Sequence, residues 1–524
     1  RKSFLFINIK VKILIIFFTF FSLLINQYYG NRGVFPVDSF AHFDTGFRIL
    51  LGEYPFKDYW IVSGAFIDYF QAILFYFFGV NWQSYVFHAS LLNAILTICT
   101  FSILKNFNLN IYYSFFYSLF FSVLAYPSSG TPFVDHHSAF FSLLSIYSLI
   151  LGIKYEKKIY WYLLPFLLGF AFFSKQVPAS YVILSIALVL FFYSLFQKKF
   201  FWIKYFLLSS FLFLFLLFFL GKAHGISFYL FLEQYIFYPQ TIRAERILYL
   251  NLTFGGLINN FKFIYIAIIP LFYINIKKLI NNKNYLKQKD FCYFLILILF
   301  SFSLLFHQIL TKNQTFIFFL IPLLIAFSNI KLNELKFKFK NLLNFFLIIV
   351  CLILTFKYHL RFNEDRKFHE LNNVNFQLSS PAIKIDNKFK GLNWITPKFS
   401  DNSNKEINLI NSIKFHLLNE SRPTMLMTNY SFFSSVLNKN FFSPSRWYMS
   451  GGSAYPEKNN KYFSSYKNLI IKHIRNNNIE VIYTIYPLDN SVIYTYLDEN
   501  CFNEVEISKM LRSYELKSCD EIKD

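Results

Sequence analysis

The sequence predicts an all-α polytopic membrane protein of about eleven transmembrane helices with amphipathic juxtamembrane helices, followed by a small C-terminal α/β domain outside the membrane. Three observations carry that prediction. The 524-residue chain is 55% hydrophobic and 15% charged, against about 25% charged in soluble domains. Its mean hydropathy is +0.39. Apolar runs of spanning length recur from the start to about residue 356, and none follows.

The expected spans are 11–29, 82–104, 111–127, 138–153, 159–174, 179–196, 200–221, 255–276, 290–306, 314–329 and 341–356. The first follows Arg1, Lys2, Lys10 and Lys12, and Asn26–Gly30 makes a poor small-residue cleavage site, so it reads as an uncleaved anchor. Gly64–Phe78 is apolar but too short to cross, with Asp68 and Gln71 on one face; it reads as a helix lying flat in the interface. If it crossed instead, the clusters Lys154/Lys157/Lys158, Lys198/Lys199, Lys277–Lys289 and Lys331–Lys340 would all be external, against the positive-inside bias. With it flat, the N-terminus and those clusters are cytoplasmic. Loops 30–81, 128–137, 175–178, 222–254 and 307–313, and the tail 357–524, are then external.

The formal charge of +22 does not point to nucleic acid, because the lysines and arginines sit in short clusters between apolar runs rather than in a long basic stripe. Cys99, Cys292 and Cys351 lie in apolar runs as small apolar residues. Cys501 and Cys519 lie in the tail, where they are either a disulfide, as an external compartment permits, or two free thiols. The tail shows strand-like Thr424–Thr428 and Ile479–Ile485 with a helical stretch, Tyr462–Arg475, between them. Two domains are expected, 1–356 and 357–524. No internal repeat suggests a transporter built from two halves.

Polar residues gather in the external loops. The first holds Asp38, His42, Asp44, Arg48, Glu53, Lys57 and Asp58; the second delivers Asp135-His136-His137; Lys175 follows the fifth span; the fourth loop brings His224, Glu233, Gln234, Arg243, Glu245 and Arg246; and the fifth adds His307, Gln308, Lys312 and Asn313. Loops are polar simply because they meet water. Asp38 and Asp135 differ in sitting at membrane boundaries beside apolar sequence, where charge is costly. On one continuous helix Asp38 and Asp44 would lie about 120° apart and could not share a direction.

The stretch 38–79 resembles the first external loop of the GT-C glycosyltransferase superfamily, of the protein O-mannosyltransferase and lipid A aminoarabinose transferase type. The matching features are Asp38, the amphipathic FAHFDTGFRILL, Gly52, Tyr54-Pro55-Phe56-Lys57-Asp58, and a flat helix ending in Phe77-Phe78-Gly79. TPFVDHHSAFF around Asp135 and FFSKQVP around Lys175 match later family features, whereas Ser39 stands where many relatives have a second acid. The resemblance implies a polyprenyl-phosphate-linked sugar as donor and a lipid or glycan hydroxyl as acceptor, in a bacterial inner membrane with the tail in the periplasm.

It also implies Asp38 as the base, with Asp135 as a second catalytic acid residue. Lys57, Lys175, Arg243 and Arg246 are candidates for holding the lipid phosphate, and His42, Asp44, Asp58, His136 and His137 for positioning substrate. Asp38 and Asp135 are also the residues that would hold a divalent cation, Mg²⁺ or Mn²⁺, if the protein uses one. A transporter or flippase is the competing class, but the spans are nearly free of midpoint charge; a polysaccharide polymerase is closer in kind. Trp447 in SPSRWYMSGG is either a sugar contact or a core residue.

Overall fold

The computed structural model describes residues 9–126, 129–248, 253–311, 317–335, 338–449, 452–486, 488 and 491–523. The chain is a helical membrane protein with a small C-terminal sheet. Among the described residues, eight helices are long and apolar enough to cross a membrane, and Ile111–Leu124, Lys158–Ser174 and Leu320–Asn333 are shorter apolar helices. Each expected span falls on a helix, with shifted ends: the run at 255–276 becomes Lys262–Asn281, after a π-helical turn at Gly255–Asn259. Residues 312–316, at the start of the tenth expected span, lie outside the described set.

Two compact units divide the chain, and neither is continuous in sequence. Unit 1 comprises 1–30, 86–216 and 250–368; unit 2 comprises 31–85, 217–249 and 369–524. Residue 356 falls inside unit 1, and residues 369–524 share unit 2 with 31–85 and 217–249.

In unit 1 the helices pack through aromatic and small residues. The Phe213 ring occupies the space that a Cβ on Gly169 would need, so Phe201–Ala223 lies close against Lys158–Ser174. Ser209 is the one fully buried residue of that helix, while Leu207, Phe211, Leu214 and Phe218 are exposed. Apolar side chains turned outward along a whole helix are what a lipid-facing helix requires.

The lysine clusters of separate loops meet at one end of this unit. Lys331 Nζ reaches Asp290 at 2.7 Å and Glu334 at 2.9 Å, and Lys278 reaches Glu334 at 2.6 Å. Glu156 is held by Lys289 at 2.6 Å and also by Lys199. Lys154 closes Val134–Tyr155 and Lys289 opens Lys289–Thr311. The opposite ends of those two helices carry Asp135 and His307, so the latter residues share the other end of the unit.

In unit 2 the tail forms a short antiparallel pair, β1 (Ser380–Pro381) with β2 (Asn393–Trp394), and a four-stranded sheet of order β3 (Thr424–Thr428), β4 (Val481–Ile485), β6 (Leu511–Leu516), β5 (Phe502–Glu506). β3 and β4 are parallel, Thr424 opposite Val481, and the helix Phe463–Asn476 lies between them in sequence, as a parallel crossover demands. The antiparallel β4–β6–β5 ladder completes the mixed sheet, and of its strands β5 and β6 were not expected from the sequence. Cys501 and Cys519 form a disulfide. Trp447 is partly buried against the core that includes Tyr448, Tyr466 and Ile482, which is the core reading of that residue.

The flat-helix expectation needs one correction. Ala65–Phe78 forms as a helix of 14 residues. Its polar face, however, is sealed rather than wet. Asp68 and Gln71 are buried against Ala41–Leu50, where Gly46 admits Gln71 so closely that a Cβ would meet it at 2.8 Å. Ile73, Tyr76, Phe77 and Phe78 form the exposed side.

Candidate active site

Asp135 opens Val134–Tyr155, Lys175 sits at the break between Lys158–Ser174 and Gln176–Gln197, and His307 lies in the last turns of Lys289–Thr311. Lys175 has extended backbone, φ −160° and ψ 134°, which ends one helix and turns its side chain to Asp135. Its ammonium donates to both carboxylate oxygens, at 2.8 and 2.7 Å. His307 Nε2 donates to Oδ1 at 2.6 Å. Three separate helices thus converge on one carboxylate. Ser138 Oγ donates to the Lys175 carbonyl at 3.0 Å and pins the break from below. Of these three side chains Lys175 is the accessible one, 22% exposed against 7% for Asp135 and 4% for His307. The sequence singled out Asp135 and Lys175 separately; His307 was one polar residue among several in a short loop, and nothing local marked it as their partner.

His136 and His137 follow Asp135 but turn into the helix packing. His136 stacks on Tyr126 with ring centroids 4.6 Å apart. His137 Nε2 lies 2.8 Å from His88 Nε2, and its ring also meets the Tyr126 hydroxyl. Both are fully buried, so they brace the second loop from inside rather than lining a surface.

The first loop builds a different centre, within unit 2. The chain breaks at Phe40 into two helices, Pro36–Ser39 and Ala41–Leu50, so Asp38 and Asp44 do not share the single helix expected. Asp38 is half-buried in the short first helix. His42 Nδ1 and Thr45 Oγ1 both donate to Asp68 Oδ1, each at 2.6 Å, and Arg446 lies 3.6 Å from Asp68 Oδ2. Burial, and then the nearby Arg446, hold the His42 imidazole below its ordinary range, so it stays neutral while donating. Arg48 donates to Glu53 at 2.5 Å and to the Ser443 carbonyl at 2.8 Å, with its guanidinium 4.3 Å over the Tyr59 ring.

Asp44 is buried 4.0 Å from Arg48, and burial pushes its carboxyl up to about 6 despite that cation. A base with that pKa suits proton transfer near neutrality, but only 5% of Asp44 is exposed, which removes it as a rival to Asp38 for an incoming hydroxyl. His42 is sealed in the same way.

Asp58 accepts from the Tyr54 amide at 2.8 Å and so closes a turn. Lys57 is part-exposed, 3.7 Å from Asp58. The same loop docks on residues after Phe201–Ala223: Tyr54 stacks on His224 at 3.9 Å, and the Tyr69 hydroxyl lies 2.7 Å from His224 Nδ1. Gln234 spans the backbone, accepting from Ile61 N at 3.2 Å and donating to Phe56 O at 2.8 Å. Glu233 accepts from Ser465. These fourth-loop residues hold unit 2 together. Arg243 and Arg246 belong to the helix Tyr238–Leu248, but their side chains lie outside the described residues, as do Lys312 and Asn313.

Asp38 and Asp135 fall in different units. Asp135 brings to any metal site a charge already matched by an ammonium and a histidine N–H. Among the described residues no group of three or more His, Cys, Asp or Glu side chains is arranged to hold a metal ion. These donors do not fit Mg²⁺ or Mn²⁺, which take several oxygen ligands, and no step below runs through a metal. No family model matches the chain, and no curated protein matches it at a significant level.

Proposed function

We propose that this protein is a membrane glycosyltransferase of the GT-C type, which moves a sugar from a polyprenyl-phosphate donor to a hydroxyl of a lipid or glycan at the external face. The observation that carries the reading is the Asp135–Lys175–His307 centre. It is a part-exposed ammonium held on a buried carboxylate, at the end of the helical unit opposite the lysine clusters. Glycosyl transfer from a lipid phosphate needs a cation there, because the bond between the anomeric carbon and the phosphate oxygen breaks with charge accumulating on that oxygen. Lys175 meets the charge. Asp135 and His307 set its position before the donor arrives, and so spare the reorganisation that a free lysine side chain would undergo. Asp38 takes the proton of the attacking acceptor hydroxyl.

All eleven apolar helices, the three shorter ones included, cross the membrane in this reading, with the flat Ala65–Phe78 helix at the external interface. The N-terminus and lysine clusters face the cytoplasm and the tail faces the periplasm of a bacterial inner membrane. The Cys501–Cys519 disulfide supports that sidedness, because such bonds persist in oxidising compartments.

The test is incubation of purified protein with a panel of polyprenyl-phosphate sugars and a scan for released polyprenyl phosphate. The wild type releases it from at least one donor, and Asp38→Asn stays folded but inactive. Full activity in Asp38→Asn removes the proposed base, and inertness of the wild type toward every donor removes the class.

A further inference from the structure

A second charged site lies in unit 1, where Lys158–Ser174 and Phe201–Ala223 begin and Gln176–Gln197 ends. Four lysines are exposed there: Lys157, Lys158, Lys198 and Lys204. Glu156 is the only acidic residue between Asp135 and Glu233, and it is already taken by Lys289, at 2.6 Å, and Lys199. The four remaining lysines therefore have no carboxylate of their own segment to answer.

Aromatic side chains floor the patch. Lys158 Nζ lies 5.4 Å from the centre of the Tyr205 ring, which packs on Tyr162 at 5.2 Å. Trp202 is anchored by its indole N–H, donated to Ser194 Oγ at 2.9 Å, and lies 6.0 Å from Trp161. Ile159, Leu163, Phe200, Leu207 and Leu208 are exposed on the same helices, so an apolar surface adjoins the cations. A lysine above a Tyr ring, Trp202 and Trp161 packed together nearby, and exposed apolar side chains beside them match the three layers of a phospholipid: phosphate, interface and acyl chain.

We propose that this corner is a binding site for the phosphate headgroup of an anionic phospholipid, with the acyl chains along the exposed face of Phe201–Ala223. The exposed apolar side chains select a lipid over a soluble phosphate, which has nothing to lay against them. The excess of lysine over acid selects an anionic headgroup over a zwitterionic one, whose choline would meet four like charges. The proposal is independent of the transferase reading.

The experiment is native mass spectrometry of the full chain, with phosphatidylglycerol and phosphatidylcholine supplied in equal amounts. The expected result is preferential retention of phosphatidylglycerol, lost as ionic strength rises. Retention should weaken about tenfold or more in the combined K157Q/K158Q/K198Q/K204Q variant. The matching Lys→Arg variant keeps it, which separates lost charge from lost fold. A control set of exposed lysines in unit 2, K405Q/K458Q/K472Q/K509Q, leaves it unchanged. Equal retention of the two lipids, an undiminished signal in the Gln variant, or displacement of the lipid by inorganic phosphate overturns the proposal.

Discussion

Two carboxylates in this protein are dressed almost alike and do different work. Asp135 in unit 1 receives a histidine N–H and a lysine ammonium; Asp68 in unit 2 receives a histidine N–H, a threonine hydroxyl and an arginine neighbour. The difference is access. Asp68, His42 and Arg446 are each 2% exposed or less, whereas Lys175 keeps 22% of its side chain open. A sealed ion pair joins chain segments; an open one offers its cation to an incoming anion. Chemical composition alone does not separate a strut from a site.

That contrast breaks most visibly at the strut. Asp68→Ala leaves Arg446 buried without its carboxylate and is expected to cost about 3–5 kcal/mol of unit 2 stability, read as a lowered thermal midpoint. An unchanged midpoint would show Asp68 to be no strut at all.

The next largest effect concerns pH. The folded pKa of Asp44, about 6, lies above the 3.8 of its unfolded state, so the folded state binds more protons between those values. Stability contributed by this group is present in full at about pH 4 and is lost as pH rises through about 6, by about 3 kcal/mol. His42, held low, works in the opposite sense below 6.5: the unfolded imidazole binds the extra proton between the lowered folded value and its ordinary 6.5, so the stability from this group grows as pH rises and is complete above 6.5. Across pH 4–6 the denaturation midpoint of the wild type should fall relative to that of Asp44→Asn, which keeps the His42 contribution and lacks that of Asp44. A parallel slope in the two proteins would mean that Asp44 titrates normally.

Cys501→Ser should cost about 2–4 kcal/mol by opening the loop that the bond closes over a sequence separation of 18, and a reductant should reproduce that loss in the wild type. The smallest effect is expected at the opposite end of unit 1. Glu156→Gln removes a part-exposed acceptor shared by Lys199 and Lys289, and should change stability by about 1 kcal/mol or less.

The two units also differ in how far the sequence foretells them. Unit 1 is legible because hydropathy is a local property: a run such as 179–196 announces a helix whatever surrounds it, and Gln176–Gln197 follows. Lys199 and Lys289, from different loops, meet on Glu156, so these two lysines, which the positive-inside argument puts on one side, do lie together at one end of the unit. Unit 2 is less legible because it is held by contacts between distant segments. Asp68 meets Arg446, and Arg48 donates to Ser443, across nearly four hundred residues that show no sequence signal of the pairing. Strands β5 and β6 stayed hidden because FNEVE and LRSYEL are polar edge and near-edge segments without a long apolar run. At the candidate site, residue type and loop membership found Asp135 and Lys175, but only the packing of Lys289–Thr311 brings in His307. Asp44 and His42 stood out as polar residues near a membrane, yet their burial comes from a tail segment that a local reading does not see.

The account rests on Lys175 as an open, prepositioned cation, and Lys175→Ala tests that most directly when turnover of the polyprenyl-phosphate donor and the thermal midpoint are measured on the same preparation. The predicted result is a fall in turnover of about a hundredfold or more with a midpoint shifted by only a few degrees. Turnover kept at the wild-type level in a folded Lys175→Ala protein would contradict it.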